Sequence, residues 1–296
     1  MRNKTAIIKN DGFSFHRTWS IINYELKWDL RKRKVLFTAL FVVVVTILIG
    51  ALFRTFIHNV VYGNSGYLWS SIVLVLTNGF IAGIFPMVLG GVISVDSMAW
   101  EIDKGTIIPL LSQPVSRSEI YFGKLMEKLF VMFLISLFMV ILSVIVSTIV
   151  VGSQEYLIWV IPIATLFLLE IFVFVSFTFM LGALIKQSGF MMLMLTGIYF
   201  SILIGSVFLM LKQGFHLWMA LIPLEGINNL LVSSQHFFIK PDAKLFVNYN
   251  LGPNLSGGAW VPTSGLLLYS IAGALFSIMI FTIIGYTIFS RMEIKG

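Results

Sequence analysis

Six long stretches of this 296-residue chain carry almost no charge. They run from Val35 to Phe53, about Leu68 to Val95, about Leu129 to Val151, about Tyr156 to Ile185, about Ser188 to Leu211 and about Ser264 to Ser290. A helix needs about 20 apolar residues to cross about 30 Å of hydrocarbon. In lipid each backbone N–H and C=O must also find its partner within the protein, which a helix achieves by itself. Composition agrees with this pattern: 58% of residues are hydrophobic and 11% charged, against about 45–50% and about 25% in soluble domains. Disorder, coiled coil, collagen, a disulfide scaffold and a soluble enzyme with a small anchor are excluded. The expected fold is an all-α polytopic membrane protein with six transmembrane helices. An amphipathic interfacial helix precedes them, and both termini are cytoplasmic.

The orientation follows from Lys and Arg, which accumulate on the cytoplasmic side of short connections. Residues 1–34 hold nine of them, the 2–3 connection holds Lys104, Arg117, Lys124 and Lys128, and Lys186, Arg291 and Lys295 fall on the same side. The opposite side has Arg54, Lys212, Lys240 and Lys244. The net charge of +7 therefore reads as a basic inner face and not as a nucleic-acid surface. The expected organisation is a cytoplasmic N-terminus with an elbow helix (1–34), a transmembrane domain (35–290) and a short cytoplasmic tail (291–296). Within the domain lie an inner loop (96–128) and a long outer segment (212–263). No cleavable signal is expected, so the first span directs insertion and stays. The chain has no Cys, which removes disulfides and thiolate chemistry.

Ahead of the first span, Phe15, Trp19, Ile22, Leu26 and Leu30 form one helical stripe, with Arg17, Ser20, Asn23, Lys27 and Arg31 off it. This predicts a helix lying in the inner interface, capped by Asp11 or Ser14. In the second run, Gly83 and Gly90 share a face suited to close helix contact. Leu217 to Val232 is apolar but broken by Pro223 and Gly226, a length that suits a re-entrant or interfacial piece. Pro241 to Pro262 reads as a surface loop, and Asn254-Leu255-Ser256 within it fits a glycosylation acceptor.

The inner loop has three parts. Glu101, Asp103 and Lys104 precede an apolar patch, Ile107 to Leu111. Pro114 then forces a break. Ser116 and Glu119 are spaced as a capping box that restarts a helix. Such a piece projects below the membrane with apolar tips and suits docking into a groove on a soluble partner. The run Glu101…Gly105-Thr106…Leu110-Leu111…Pro114-Val115-Ser116-Arg117…Gly123-Lys124 resembles the signature of the permease subunits of type-2 ABC exporters. It stands in the loop where that family carries it, and the Phe289-Ser290-Arg291 exit is similar too.

The resemblance implies an ATP-driven exporter of the plasma membrane. In it, residues 101–111 form the coupling helix that touches a separate ATPase subunit, and a second permease chain completes the pathway. The coupling set is then Glu101, Gly105, Thr106, Leu110, Leu111, Pro114 and Arg117. Glu101 is expected to pair with a basic residue of the ATPase or to cap the short helix, and Arg117 to brace the elbow into the third span. Pro109 shortens or kinks the coupling helix. ATP and Mg belong to the partner: no Gly-x-x-x-x-Gly-Lys-Ser/Thr occurs here, so no cofactor and no catalytic residue is expected in this chain. The four His are scattered, which makes a metal site improbable.

Glu170 lies near the middle of the fourth run, where a carboxylate costs about 2.5–3.5 kcal/mol on insertion scales. Two readings stand: a pathway site for a cation or proton, or a neutral carboxyl bonded to a neighbouring helix. The alternatives to an exporter subunit are an ion-coupled secondary transporter using Glu170 and a non-transporting membrane scaffold. The transported substrate is not legible in these residues.

Overall fold

The computed structural model describes residues 14–57, 84–113, 115–151, 160–185, 187–213, 221, 244–250 and 256–292. Expectations resting on Gly83, Pro114, Asn254 and most of Leu217 to Val232 lie outside these residues. The helices are α1 (Phe15–Arg31), α2 (Lys34–Ile57), α3 (Ile84–Asp103), α4 (Ile108–Leu111), α5 (Arg117–Val151), α6 (Val160–Leu184), α7 (Ser188–Gln213) and α8 (Thr263–Arg291). Strands β1 (Lys244–Asn250) and β2 (Ser256–Pro262) precede α8.

Each of the six charge-free runs carries one long helix. Among the described residues, Arg117–Val146, Phe167–Leu184 and Leu267–Arg291 are long and apolar enough to cross a membrane. Lys34–Leu48 and Ser188–Ile202 are apolar but shorter. At a rise of about 1.5 Å per residue, α5 is too long for the bilayer alone. Its charged first third, Arg117 to Lys128, forms a base in front of the apolar run that starts at Leu129.

The outer loop expectation needs correcting. β1 and β2 pair antiparallel, with Lys244 opposite Pro262 and Asn250 opposite Ser256. Phe246, Val247 and Tyr249 favour the strand.

α6 is the most enclosed helix and joins two apolar clusters. One gathers α1, α2, α3 and α5 against Phe167, Ile171, Val175 and Phe179. The other gathers α3, α7 and α8 against Val173, Phe174, Phe177 and Leu181. A Cβ on Gly90 would meet Phe174 Cβ at 3.2 Å, and one on Gly182 would meet Met98 Cβ at 3.1 Å. α3 and α6 are therefore parallel and close, as the small-residue face of the second run predicts. Phe177 against Phe281 at 4.9 Å and Met180 against Gly285 make α8 parallel to α6 as well. Four buried hydroxyls are satisfied locally: Ser136, Ser143, Thr178 and Ser277 each donate to the carbonyl four residues back, at 2.6–2.7 Å.

α1 follows the predicted helix from Ser14, with most of its apolar stripe turned away from the protein. Thr18, Ile21, Glu25 and Asp29 are buried, while Phe15, Trp19 and Leu30 of the apolar stripe are 83%, 63% and 57% exposed. In an interfacial helix the apolar stripe meets lipid, so the face turned to the protein is the polar one. Arg33, with φ 55°, breaks the chain between α1 and α2. A left-handed non-glycine residue of this kind ends a helix in the position usually held by Gly.

Candidate functional site

The inner loop is the most elaborated part of the structure. α3 runs through Glu101 to Asp103, so the expected single helix over 101–111 is divided. Gly105 adopts φ +67°, a backbone state that a side chain disfavours. A Cβ there would have only Ile108 Cδ1 near it, at 3.6 Å, so the glycine serves the turn and not a close approach. The Thr106 hydroxyl donates to the Glu101 carbonyl at 3.4 Å. Pro109 stands in the first turn of α4, where its missing N–H is harmless; it opens the short helix instead of kinking it. Leu110 and Leu111 are half-buried against the apolar cluster around α5, and Ile108 is 38% exposed.

The restart after the break is a reciprocal capping box. Ser116 N–H donates to Glu119 Oε2 at 2.8 Å, and Glu119 N–H donates to Ser116 Oγ at 3.3 Å. The other Glu119 oxygen accepts the Ser14 N–H at 2.7 Å and faces Arg17 Nε at 3.3 Å. One carboxylate therefore starts two helices, α5 and α1.

Arg117 does more than brace the elbow. Its Nη1 donates to the carbonyls of Ser290 at 2.7 Å and Met292 at 2.8 Å, with Phe289 at 3.5 Å. These are orphan acceptors at the C-terminus of α8. The Arg117 signature and the Phe289-Ser290-Arg291 exit are thus two sides of one contact. Arg117→Ala should cost about 1–3 kcal/mol, the usual penalty for stranding such acceptors, while Arg117→Lys should retain part of it. Thermal melts of the three proteins in detergent check this; an Ala variant that melts like the parent would remove the clamp.

Glu101 finds its partner inside the chain. Lys124 Nζ, fully buried, donates to Glu101 Oε1 at 2.9 Å and to Glu25 Oε1 of α1 at 2.5 Å. Neither an ATPase residue nor a cap on α4 is needed to account for the Glu101 carboxylate. Burial pushes its carboxyl above the usual carboxylate range, with Lys124 opposing and Glu25 reinforcing the shift. One turn further along, Lys128 pairs with Asp29 of α1 and with Glu127 at 2.9 Å. With Arg17–Glu119 these pairs form a ladder between α1 and the base of α5. Glu25, Asp29, Lys124 and Lys128 were missed in the sequence. Their signal was present, as two acids and two bases each four residues apart, on segments that periodicity alone does not bring together.

A cleft of about 540 Å³ opens between α1 and the loop. Tyr24, Glu25 and Trp28 form one wall, Trp100 and Glu101 the other, and Pro109 and Leu110 the rim. Lys32 Nζ sits 4.9 Å from the Trp28 ring centre and 4.3 Å from that of Trp100, closing one end by cation–π contact. Glu101, Thr106 and Leu110 are brought together here; Arg117 sits behind them against α8, and Pro114 lies outside the described residues. Glu170 is elsewhere, within α6. It is fully buried, and neither carboxyl oxygen has a hydrogen-bond partner among the described residues. Nothing among the described residues groups His, Asp and Glu as metal ligands would be grouped.

A family model described as ABC-2 family transporter protein matches residues 19–294 of the chain. No curated protein matches it.

Proposed function

Because the chain belongs to the ABC-2 transporter family, and is thus a membrane component and not the ATPase, we propose that it forms half of an exporter's pathway and takes its drive from a separate ATPase subunit at the inner loop. Six crossings of the plasma membrane, cytoplasmic termini and a second permease chain, identical or homologous, belong to this reading. Its support is threefold. Basic residues crowd one side of the connections. α3, α6 and α8, the second, fourth and sixth runs, are parallel, as alternating crossings require. Six buried or half-buried charged groups meet at the base of α5 and nowhere else among the described residues in such density.

The observation that carries the proposal is the cleft between α1 and the loop, with an apolar rim at Pro109 and Leu110 and the exposed Ile108 next to them in the chain. Its aromatic walls suit a helical segment of the ATPase. The contact set is Gly105, Thr106, Leu110 and Leu111 with the exposed Ile108; Glu101 and Arg117 hold it in place, and Pro114, outside the described residues, belongs to the set by its place in the sequence. An apolar anchor of this kind costs about 2 kcal/mol when lost, about thirtyfold in affinity. Ile108→Asp should therefore weaken ATPase copurification about thirtyfold while the chain still inserts, because the residue lies at the surface of the loop. A single Cys at Ser112 should be shielded from an impermeant thiol reagent outside the cell. Parental ATPase binding by Ile108→Asp, or labelling of position 112 from outside, would overturn the coupling role.

Glu170 is assigned to the pathway, as a contact for a cationic cargo or a proton. Its support is a fully buried carboxyl without a partner among the described residues. Glu170→Gln keeps the shape, so it should melt within about 0.5 kcal/mol of the parent and flatten the pH profile of ATP hydrolysis by the reconstituted complex. A pH profile identical to the parent's assigns Glu170 to packing.

A further inference from the structure

α1 is an unusual helix to find anchored. Its apolar stripe faces outward, and the face turned to the protein presents Thr18, Ile21, Glu25 and Asp29. Ile21 lies over Gly123 of α5, where an added Cβ would meet Ile21 Cβ at 3.1 Å and the Thr18 carbonyl at 3.5 Å. Leu26 adds partly buried apolar contact and Ser14 N–H a hydrogen bond to Glu119; the rest of the hold is ionic. Of the chain's 20 basic and 13 acidic residues, eight converge here: Arg17, Glu25, Asp29, Glu101, Glu119, Lys124, Glu127 and Lys128. Buried ion pairs are poor sources of stability, because apolar residues of the same size often do as well or better. What they supply is register. An apolar face slides along its neighbour at little cost, whereas a charge moved off its partner inside the protein is left uncompensated.

The middle rung differs from the others in joining three elements. Lys124 on α5 serves Glu25 on α1 and Glu101 at the end of α3, where the loop begins. Two carboxylates share one counterion, so a displacement of either changes the field felt by the other. We propose that Lys124 is a positioning residue that ties the loop to α1 and α5, so that a push on the loop carries α1 along as one body. The inference rests on the loop being where the ATPase pushes, but the tie itself is a property of this chain alone.

The absence of Cys allows spin labels at chosen pairs of exposed positions: Ser20 on α1, Ser112 in the loop and Met126 on α5. Two charge exchanges separate the two ties. Glu101→Lys with Lys124→Glu keeps the loop pair and sets Glu25 against a carboxylate. The 112–126 distance should stay narrow, and the 20–126 distance should shift or broaden by about one helical turn, ~5 Å. Glu25→Lys with Lys124→Glu should do the reverse. A general packing role would disturb both distances alike in both variants. Should either exchange fail to insert, the neutral triple Glu25→Gln, Glu101→Gln, Lys124→Met should insert and broaden both distances. Unchanged distances in the triple, or equal broadening in the two exchanges, would overturn the tie. In the complex, ATP should move the Ser20 label together with the loop in the parent, and apart from the loop in the second exchange, where only the α1–α5 pair is kept. If no ATPase copurifies with the parent, the exporter reading falls while the distances in the isolated chain still decide the tie.

Discussion

Lys124→Met alone should strip about 3–5 kcal/mol from the protein, the cost of leaving a buried charge without its partner. Two carboxylates are stranded by this one change. The Lys124 side chain is 0% exposed, with Glu25 at 4% and Glu101 at 13%, so water cannot compensate them. A loss of that size is a large fraction of the total stability of most domains, and the inserted, monodisperse fraction should fall sharply. The neutral triple described above should recover most of the loss, because removing a whole buried ion cluster is far cheaper than breaking it. Thermal melts monitored by size exclusion distinguish the two. A single variant as stable as the parent would show that the carboxylates reach solvent or another cation.

Gly285→Ala should cost about 3 kcal/mol, at the upper end of the usual range for overpacking. The new Cβ would lie 2.3 Å from Tyr121 Oη, 3.0 Å from Met180 Cα and 3.3 Å from Met180 N. Neither neighbour has room to give. Met180 contributes backbone of the central helix. The Tyr121 ring is held by Phe179 at 6.0 Å, Tyr286 at 5.9 Å and Phe289 at 5.9 Å between centroids. Its hydroxyl has no hydrogen-bond partner among the described residues, so Tyr121→Phe should itself be nearly silent. Combined with Gly285→Ala it removes the shortest contact and leaves the Met180 one. The pair should therefore be less damaging than Gly285→Ala alone, with a coupling of about 1 kcal/mol. Strict additivity in the melts of the four proteins would mean that Tyr121 and Gly285 do not meet as described. The same contact explains why α5, α6 and α8 come so close at the charged end, where Arg117 holds the last turn of α8.

Local signals were read well where the physics is local. The Ser116–Glu119 capping box is a property of four residues, and it forms as spaced. Gly105 takes the left-handed turn that its lack of a Cβ permits. Gly90 marks a close helix contact because small residues do so wherever two helices meet. The signals that failed are those whose meaning depends on what stands opposite. Pro109 was read as a disruption and is a helix start, because the residues before it had already left α3. Glu101 was assigned to a partner, and its neighbour proved to be Lys124, 23 positions away in sequence but adjacent in space. Pro241 to Pro262 reads as a loop from its Asn and Gly, although Phe246, Val247 and Tyr249 favour the strand that forms at Lys244–Asn250.

The chain by itself determined the bilayer as its solvent and the runs that become long helices. These depend on length, charge and spacing, which any segment carries with it. Only the tertiary structure decided which face of each helix meets protein. In water an apolar stripe points to the core. In α1 the stripe of Phe15, Trp19 and Leu30 turns outward instead, because the charges Glu25 and Asp29 turn in to meet the bases on α5. Their partners, Lys124 and Lys128, lie 99 residues on, and no periodicity within either segment announces a contact made across that separation.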